Sequence, residues 1–136
     1  MKIVICGSMS FAKRMVAVKE KLTKLGYEVY TPPLALEYAD GKRKKDQGPQ
    51  DTKAKKHIDA LRLFFNEIKK SDAILVLNYK KRGVPGYIGG NSLIEMAFAH
   101  VLGKKIFLLN PIPKMDYTSE IVFMEPMILD GDLGKI

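Results

Sequence analysis

Residues 71–79, Ser71-Asp72-Ala73-Ile74-Leu75-Val76-Leu77-Asn78-Tyr79, hold five consecutive apolar positions between a polar entry and a polar exit. The run is too short for a free-standing helix and does not alternate with polar residues. It therefore predicts a strand buried on both faces. Such a strand needs a covering layer above and below, which is the environment of a parallel sheet flanked by helices. Working outward, residues 2–6 (KIVIC) form a second run of this kind and end at Gly7-Ser8. Residues 106–109 (IFLL) form a third, residues 27–31 (YEVYT) a fourth that stops at Pro32-Pro33, and residues 127–129 a short edge candidate.

The intervening segments carry the helical period. Phe11, Met15, Val18, Leu22 and Leu25 recur at three- and four-residue spacing, and Gly26 ends that stretch. Ile58, Leu61, Phe64, Phe65 and Ile68 predict an amphipathic helix over 57–70, and the apolar residues of 93–102 predict another, stopped by Gly103. The order β-α-β-α-β-α-β predicts an α/β fold: a single-domain, doubly wound parallel sheet over 1–136, flavodoxin-like or Rossmann-like, with four to five strands and helices on both faces. The expected strand order is 2-1-3-4 with the fifth at an edge. Ligands of such sheets bind beyond the carboxyl ends of the strands, so the loops after Cys6, Leu77 and Leu109 are where chemistry is expected.

Composition narrows the classes. The chain has 136 residues, 46% apolar and 28% charged, enough for one real core, which excludes wholesale disorder. No apolar run approaches the roughly 18 residues of a membrane span, and the start lacks a signal-peptide pattern, so a soluble, cytoplasmic protein is expected. With one cysteine and two histidines, neither an internal disulfide nor a closed zinc site is expected. No metal and no cofactor is called for. Of the net charge of +8, half lies in residues 39–56, which hold seven Lys/Arg and three Asp. This Gly- and Pro-punctuated stretch reads as a mobile basic loop, either simply solvated or closing over an anionic ligand. No aromatic residue interleaves it, so nucleic acid is not the expected partner.

The loops at the carboxyl edge hold the candidate residues. Gly7-Ser8-Met9-Ser10 forms the first strand-to-helix turn, where either serine suits a helix cap and free N–H groups suit an anion or sugar. It matches neither G-x-G-x-x-G nor a P-loop. Glycines 83, 86, 89 and 90 precede Asn91, Ser92 and Glu95. Ser92 and Glu95 match the S-x-x-E capping box, and the density of glycines lets backbone N–H groups approach a ligand closely. Glu95 then falls in the first turn of its helix, where the helix dipole is expected to lower its pKa and prepare a carboxylate nucleophile. Asn78 and Tyr79 end the central strand on the ligand side, with amide and phenol groups suited to ribose or base. Asp72, before that strand, reads as a turn residue at the opposite end of the sheet. His57 has basic neighbours and no evident role, and His100, one turn past Met96, reads as a core histidine.

Three segments resemble the nucleoside 2-deoxyribosyltransferase superfamily, which includes the 2′-deoxynucleoside 5′-phosphate N-hydrolases. They are Ile3-Val4-Ile5-Cys6-Gly7-Ser8, Asp72-Ala73-Ile74-Leu75-Val76-Leu77, and Ser92-Leu93-Ile94-Glu95-Met96-Ala97-Phe98-Ala99. The last is similar to the family's E-x-G-x-A pattern, with Ala97 in the glycine place. The resemblance implies cleavage of an N-glycosidic bond, by transfer or hydrolysis, through a glycosyl ester on Glu95. It further implies a proton-transfer role for Asp72 and a homodimer. Gly89 stands where many members carry an acidic or hydroxyl residue. Gly7, Ser8, Ser10, Asn78, Tyr79, Gly89, Gly90, Asn91 and Ser92 are the expected substrate-binding residues for a nucleoside or nucleotide. The stretch Pro85-Gly86-Tyr87-Ile88-Gly89-Gly90-Asn91-Ser92 also resembles, with altered spacing, the P-G-G-x-G-T-x-x-E motif of cytokinin-activating phosphoribohydrolases. A non-catalytic nucleotide-binding or sensing module is the rival from another class.

Overall fold

The computed structural model describes residues 1–33, 35, 39 and 59–136. The basic stretch expected over 39–56, Ala39 apart, and His57 lie outside the described residues. Five strands form one parallel sheet in the order β2-β1-β3-β4-β5, the predicted order with the fifth strand at the edge. They are β1 (Lys2–Cys6), β2 (Glu28–Tyr30), β3 (Ala73–Val76), β4 (Lys105–Leu108) and β5 (Met127–Ile128). The helices bounded within the described residues are α1 (Ala12–Lys24), α2 (Ala60–Lys69), α3 (Gly90–Val101) and α4 (Thr118–Phe123), with 3-10 turns at Met9–Phe11 and Leu133–Lys135. Among the described residues no helix is long and apolar enough to cross a membrane.

The absence of polar alternation in the strands has a direct physical outcome. Ile3 and Ile5 of β1, with Ala73 and Leu75 of β3, pack with Met15, Val18 and Leu22 of α1. Val4 and Cys6, with Ile74 and Val76, pack on the other face with Phe64 and Ile68 of α2 and Met96 and Ala99 of α3. Both sets are buried to within a few per cent of complete, so each strand contributes its odd and even side chains to separate cores. That places Cys6 on the face covered by α3.

The amino end of the sheet is fixed by Asp72. Its Oδ2 accepts from the Lys2 N–H at 2.7 Å, its own N–H donates to the Lys2 carbonyl at 2.9 Å, and its carbonyl accepts from Lys105 at 3.2 Å. Beside it the Lys2 ammonium pairs with Glu67 at 3.0 Å, and this hydrogen bond holds the Glu67 carboxyl below its usual range. Leu77 continues the β3 ladder by donating to the Cys6 carbonyl, and the chain then enters the loops of the carboxyl edge.

Candidate active site

Helix α3 begins three residues before its predicted start, and this changes the reading of both residues of the supposed capping box. Gly89 occupies the N-cap place and brings no side-chain cap, while Ser92 is the third helical residue and Glu95 the sixth. The face turned to the sheet is Ser92, Glu95, Met96 and Ala99, an i, i+3, i+4, i+7 stripe. Glu95 is thereby drawn under the carboxyl edge, with 6% of its surface exposed. Among the described residues it is the one buried charged side chain. The expected lowering of its pKa is reversed: burial pushes the carboxyl up to about 8, only partly offset by the Cys6 thiol. The dipole is weak this far from the first turn, whereas desolvation acts at full strength. Cys6, itself fully buried, has its thiol pushed well above the ordinary value by desolvation and by Glu95.

The first loop is held by its serines. Ser8 caps the 3-10 turn, its Oγ accepting from the Ser10 N–H at 3.3 Å, and the two hydroxyl oxygens lie 2.6 Å apart. Lys81 donates its Nζ to Ser8 Oγ at 2.8 Å and stands 5.7 Å from the Tyr87 ring centroid. The backbone presents Lys81 through a tight reversal: Arg82 and Gly83 both have positive φ (52° and 76°), and Lys81 and Val84 exchange backbone hydrogen bonds. Two successive left-handed residues are the signature of a type I′ turn. At Gly7 a Cβ would meet Met15 Cε at 3.1 Å, so the glycine lets the turn lie against α1.

The third and fourth loops are tied together by Asn78. Its Nδ2 donates to the carbonyls of Asn110 and Pro111 at 2.8 and 3.3 Å, and its Oδ1 accepts from the Asn110 N–H at 2.8 Å. The residue is fully buried. An open cleft of about 330 Å³ adjoins this link, lined by Lys80, Pro85, Gly86, Asn110, Pro111 and Ile112; Glu95 does not line it. Tyr117 donates its hydroxyl to the Ile88 carbonyl, fastening the segment before α4 to the glycine-rich loop. Tyr79 is half-buried, edge-on to Phe11 at 5.1 Å with the Arg14 guanidinium 4.2 Å from its ring centroid.

Gly7, Ser8, Ser10, Tyr79, Gly89, Gly90, Asn91, Ser92 and Glu95 all lie in the loops or helix start at the carboxyl edge. Asp72 does not: the length of β3, roughly 13 Å, separates it from that edge, and its carboxylate is spent on Lys2. The proton-transfer role implied for it is withdrawn. Asn78 is at the right edge, with its amide bonded to Asn110 and Pro111 so that it joins two loops. His100 is exposed rather than in the core, because the buried stripe of α3 passes through Ala99. Cys6 and Lys81 were not picked out from the sequence. The signal for Lys81 was its position in the loop after the central strand; for Cys6 it was the shared parity with Val4 that turns it toward α3. Among the described residues no three His, Cys, Asp or Glu side chains cluster as a metal-ligand set.

No protein-family model matches the chain, and no curated protein matches it in sequence. Among solved structures it is similar in fold to the CMP N-glycosidase BcmB of Clostridium botulinum, with a TM-score of 0.53 and 16% sequence identity over 94% of this chain and 85% of that one.

Proposed function

We propose that the protein cleaves the N-glycosidic bond of a nucleoside 5′-monophosphate, or of the parent nucleoside, through a glycosyl ester on Glu95. The observation that carries this reading is Glu95 itself, a buried carboxyl at the carboxyl edge of the sheet, directly after a glycine-rich loop. Its carboxylate oxygen bonds to C1′ as the C1′–N bond breaks and the electron pair leaves with the base, which takes its proton from water. Water or the nitrogen of a second base then attacks C1′, the ester C–O bond breaks, and the carboxylate is restored; an attacking water or N–H loses its proton to solvent. Gly89, Gly90, Asn91 and Ser92 border the sugar. Gly7, Ser8 and Ser10, with Lys81, hold the 5′-phosphate, and Tyr79 flanks the base. The likeness in fold to a CMP N-glycosidase supports a nucleotide substrate. Dimerisation belongs to the same proposal and is supported by the exposure of Val122, Phe123 and Met127. Ile121, in the same helix, is wholly buried and does not belong to that face.

The rival, a nucleotide-binding module, is favoured by one observation: a carboxyl with a pKa of about 8 is mostly neutral at pH 7 and suits a hydrogen-bond donor. One assay separates the two. Cytidine 5′-monophosphate, its 2′-deoxy counterpart and the other common nucleotides and nucleosides are incubated with the protein, with and without an acceptor base, and free base is followed by chromatography. The expected result is base release by the natural chain and none by Glu95→Gln. Binding without release would establish the module.

A further inference from the structure

We propose that Ser92 is the specificity-determining residue for the sugar: its hydroxyl pairs with the 2′-hydroxyl of a ribonucleotide, which makes ribose rather than 2′-deoxyribose the preferred sugar. The inference rests on Glu95 being the nucleophile toward a nucleotide. Ser92 and Glu95 are the third and sixth residues of α3, on the face turned to the sheet, and are 4% and 6% exposed. Side chains at that spacing stand about 5–6 Å apart at Cβ. A buried hydroxyl ordinarily finds a partner inside the protein. That of Ser92 makes no hydrogen bond with the described residues. The carbonyl four residues back, to which a helical serine commonly donates, belongs to Ile88 and accepts from Tyr117. Among the described residues no buried side-chain oxygen is both unpaired and sealed from solvent, so the Ser92 oxygen keeps an opening through which a ligand can reach it. Asn91, the neighbouring polar side chain, is exposed and already solvated.

Stereochemistry supplies the ligand group. In a β-nucleotide the base stands on one face of the furanose and the 2′-hydroxyl on the other. A carboxylate that displaces the base in line meets C1′ from the second face, the one that carries the 2′-hydroxyl. The buried, unpaired hydroxyl one turn from Glu95 on the same face of α3 is then the group offered to it. A ribonucleotide pairs both hydroxyls, whereas a 2′-deoxynucleotide covers Ser92 and leaves it unpaired.

Binding is the cleaner test, because a 2′-hydroxyl also withdraws electrons from the cation-like transition state and makes the bond intrinsically harder to break. The common ribonucleoside 5′-monophosphates and their 2′-deoxy counterparts are titrated calorimetrically into Glu95→Gln and into Glu95→Gln combined with Ser92→Ala. The expected result is a ribonucleotide preference of about 5- to 50-fold in Kd for the first protein, falling to about 2-fold or less in the second. In turnover, the ratio of kcat/KM for ribonucleotide over deoxynucleotide should fall by a similar factor from the natural chain to Ser92→Ala, the intrinsic lability cancelling between the two proteins. Since the hydroxyl serves no partner in the fold, Ser92→Ala should unfold in urea at or above the natural midpoint. A clearly lower midpoint, a preference unchanged by Ser92→Ala, or none to begin with would overturn the role of Ser92. Base release undiminished in Glu95→Gln would overturn the nucleophile instead, and the Kd comparison would still decide whether Ser92 reads the 2′-hydroxyl. Failure of every one of these nucleotides to bind would overturn both.

Discussion

Asn78 and Asn110, 32 residues apart in sequence, each donate a side-chain amide to the other's backbone carbonyl, at 2.8 and 3.2 Å. This reciprocal pair makes the loops after β3 and β4 one unit. Replacing Asn78 with alanine strands the Asn110 N–H and two carbonyls, at a cost of about 2–4 kcal/mol. Urea unfolding of Asn78→Ala should show that loss. Unchanged stability with a raised KM would instead point to Asn78 as a base ligand.

Gly86 and Gly83 provide a controlled comparison, since both have positive φ (70° and 76°). A Cβ on Gly86 would stand 2.6 Å from the Pro111 carbonyl oxygen, whereas one on Gly83 would meet nothing within 4 Å. Gly83→Ala should therefore cost only the left-handed strain, about 1–2 kcal/mol. Gly86→Ala should cost clearly more and deform the adjoining cleft. Equal losses in thermal unfolding would mean that the Pro111 carbonyl moves aside freely.

Glu95 sets activity and stability against each other. Its folded pKa of about 8 lies above the ordinary 4.5, so between those values the native chain holds a proton that the unfolded chain has lost. This contribution is present below pH 4.5 and is lost as pH rises toward 8, while the nucleophilic carboxylate grows over the upper part of that range. Glu95→Gln should thus be more stable than the natural chain by about 2–5 kcal/mol at about pH 9, with the difference fading below about pH 5. Denaturant unfolding at several pH values tests the sign. In parallel, kcat/KM should rise through about pH 8.

The strands were legible because their chemistry is one-dimensional. Apolar residues of both parities in 3–6 and 73–77 can only be satisfied by layers on both faces, and the order of elements then fixes a doubly wound sheet. The start of α3 was not legible in the same way. Ser92-x-x-Glu95 matches a capping box, but packing of Ser92 and Glu95 against the sheet edge draws the helix back to Gly90, and a local motif carries no record of that. His100 lies one turn past Met96, but the buried stripe continues through Ala99, which leaves His100 exposed. Asn78 is legible as an edge residue, but its tie to the next loop is not, because its partners lie 32 and 33 residues away and no spacing rule connects them.

A 5′-phosphate should strengthen binding through Lys81 and the Ser8 turn by about 1–3 kcal/mol, roughly 5- to 150-fold in Kd. Calorimetry with a nucleoside and its monophosphate should show that gain shrinking with salt. Lys81→Ala and Ser8→Ala should each reduce it. Replacement of Lys42, Arg43, Lys44 and Lys45 by alanine tests whether the basic stretch shares the task. Equal affinity for nucleoside and monophosphate at low salt would remove the phosphate from the account.

Sedimentation at micromolar protein should show a species of twice the 15.3 kDa chain mass. Phe123→Asp, at a side chain 76% exposed, should return it to a monomer with the fold intact. A single-chain species for the natural protein would contradict the dimer.

The covalent role of Glu95 is tested most directly by quenching the protein with acid during turnover of a nucleoside 5′-monophosphate and measuring peptide masses. The account predicts one added sugar phosphate on the peptide containing Glu95, absent from Glu95→Gln and lost on incubation in buffer. Steady base release with no adduct on that peptide, or base release undiminished in Glu95→Gln, would contradict it.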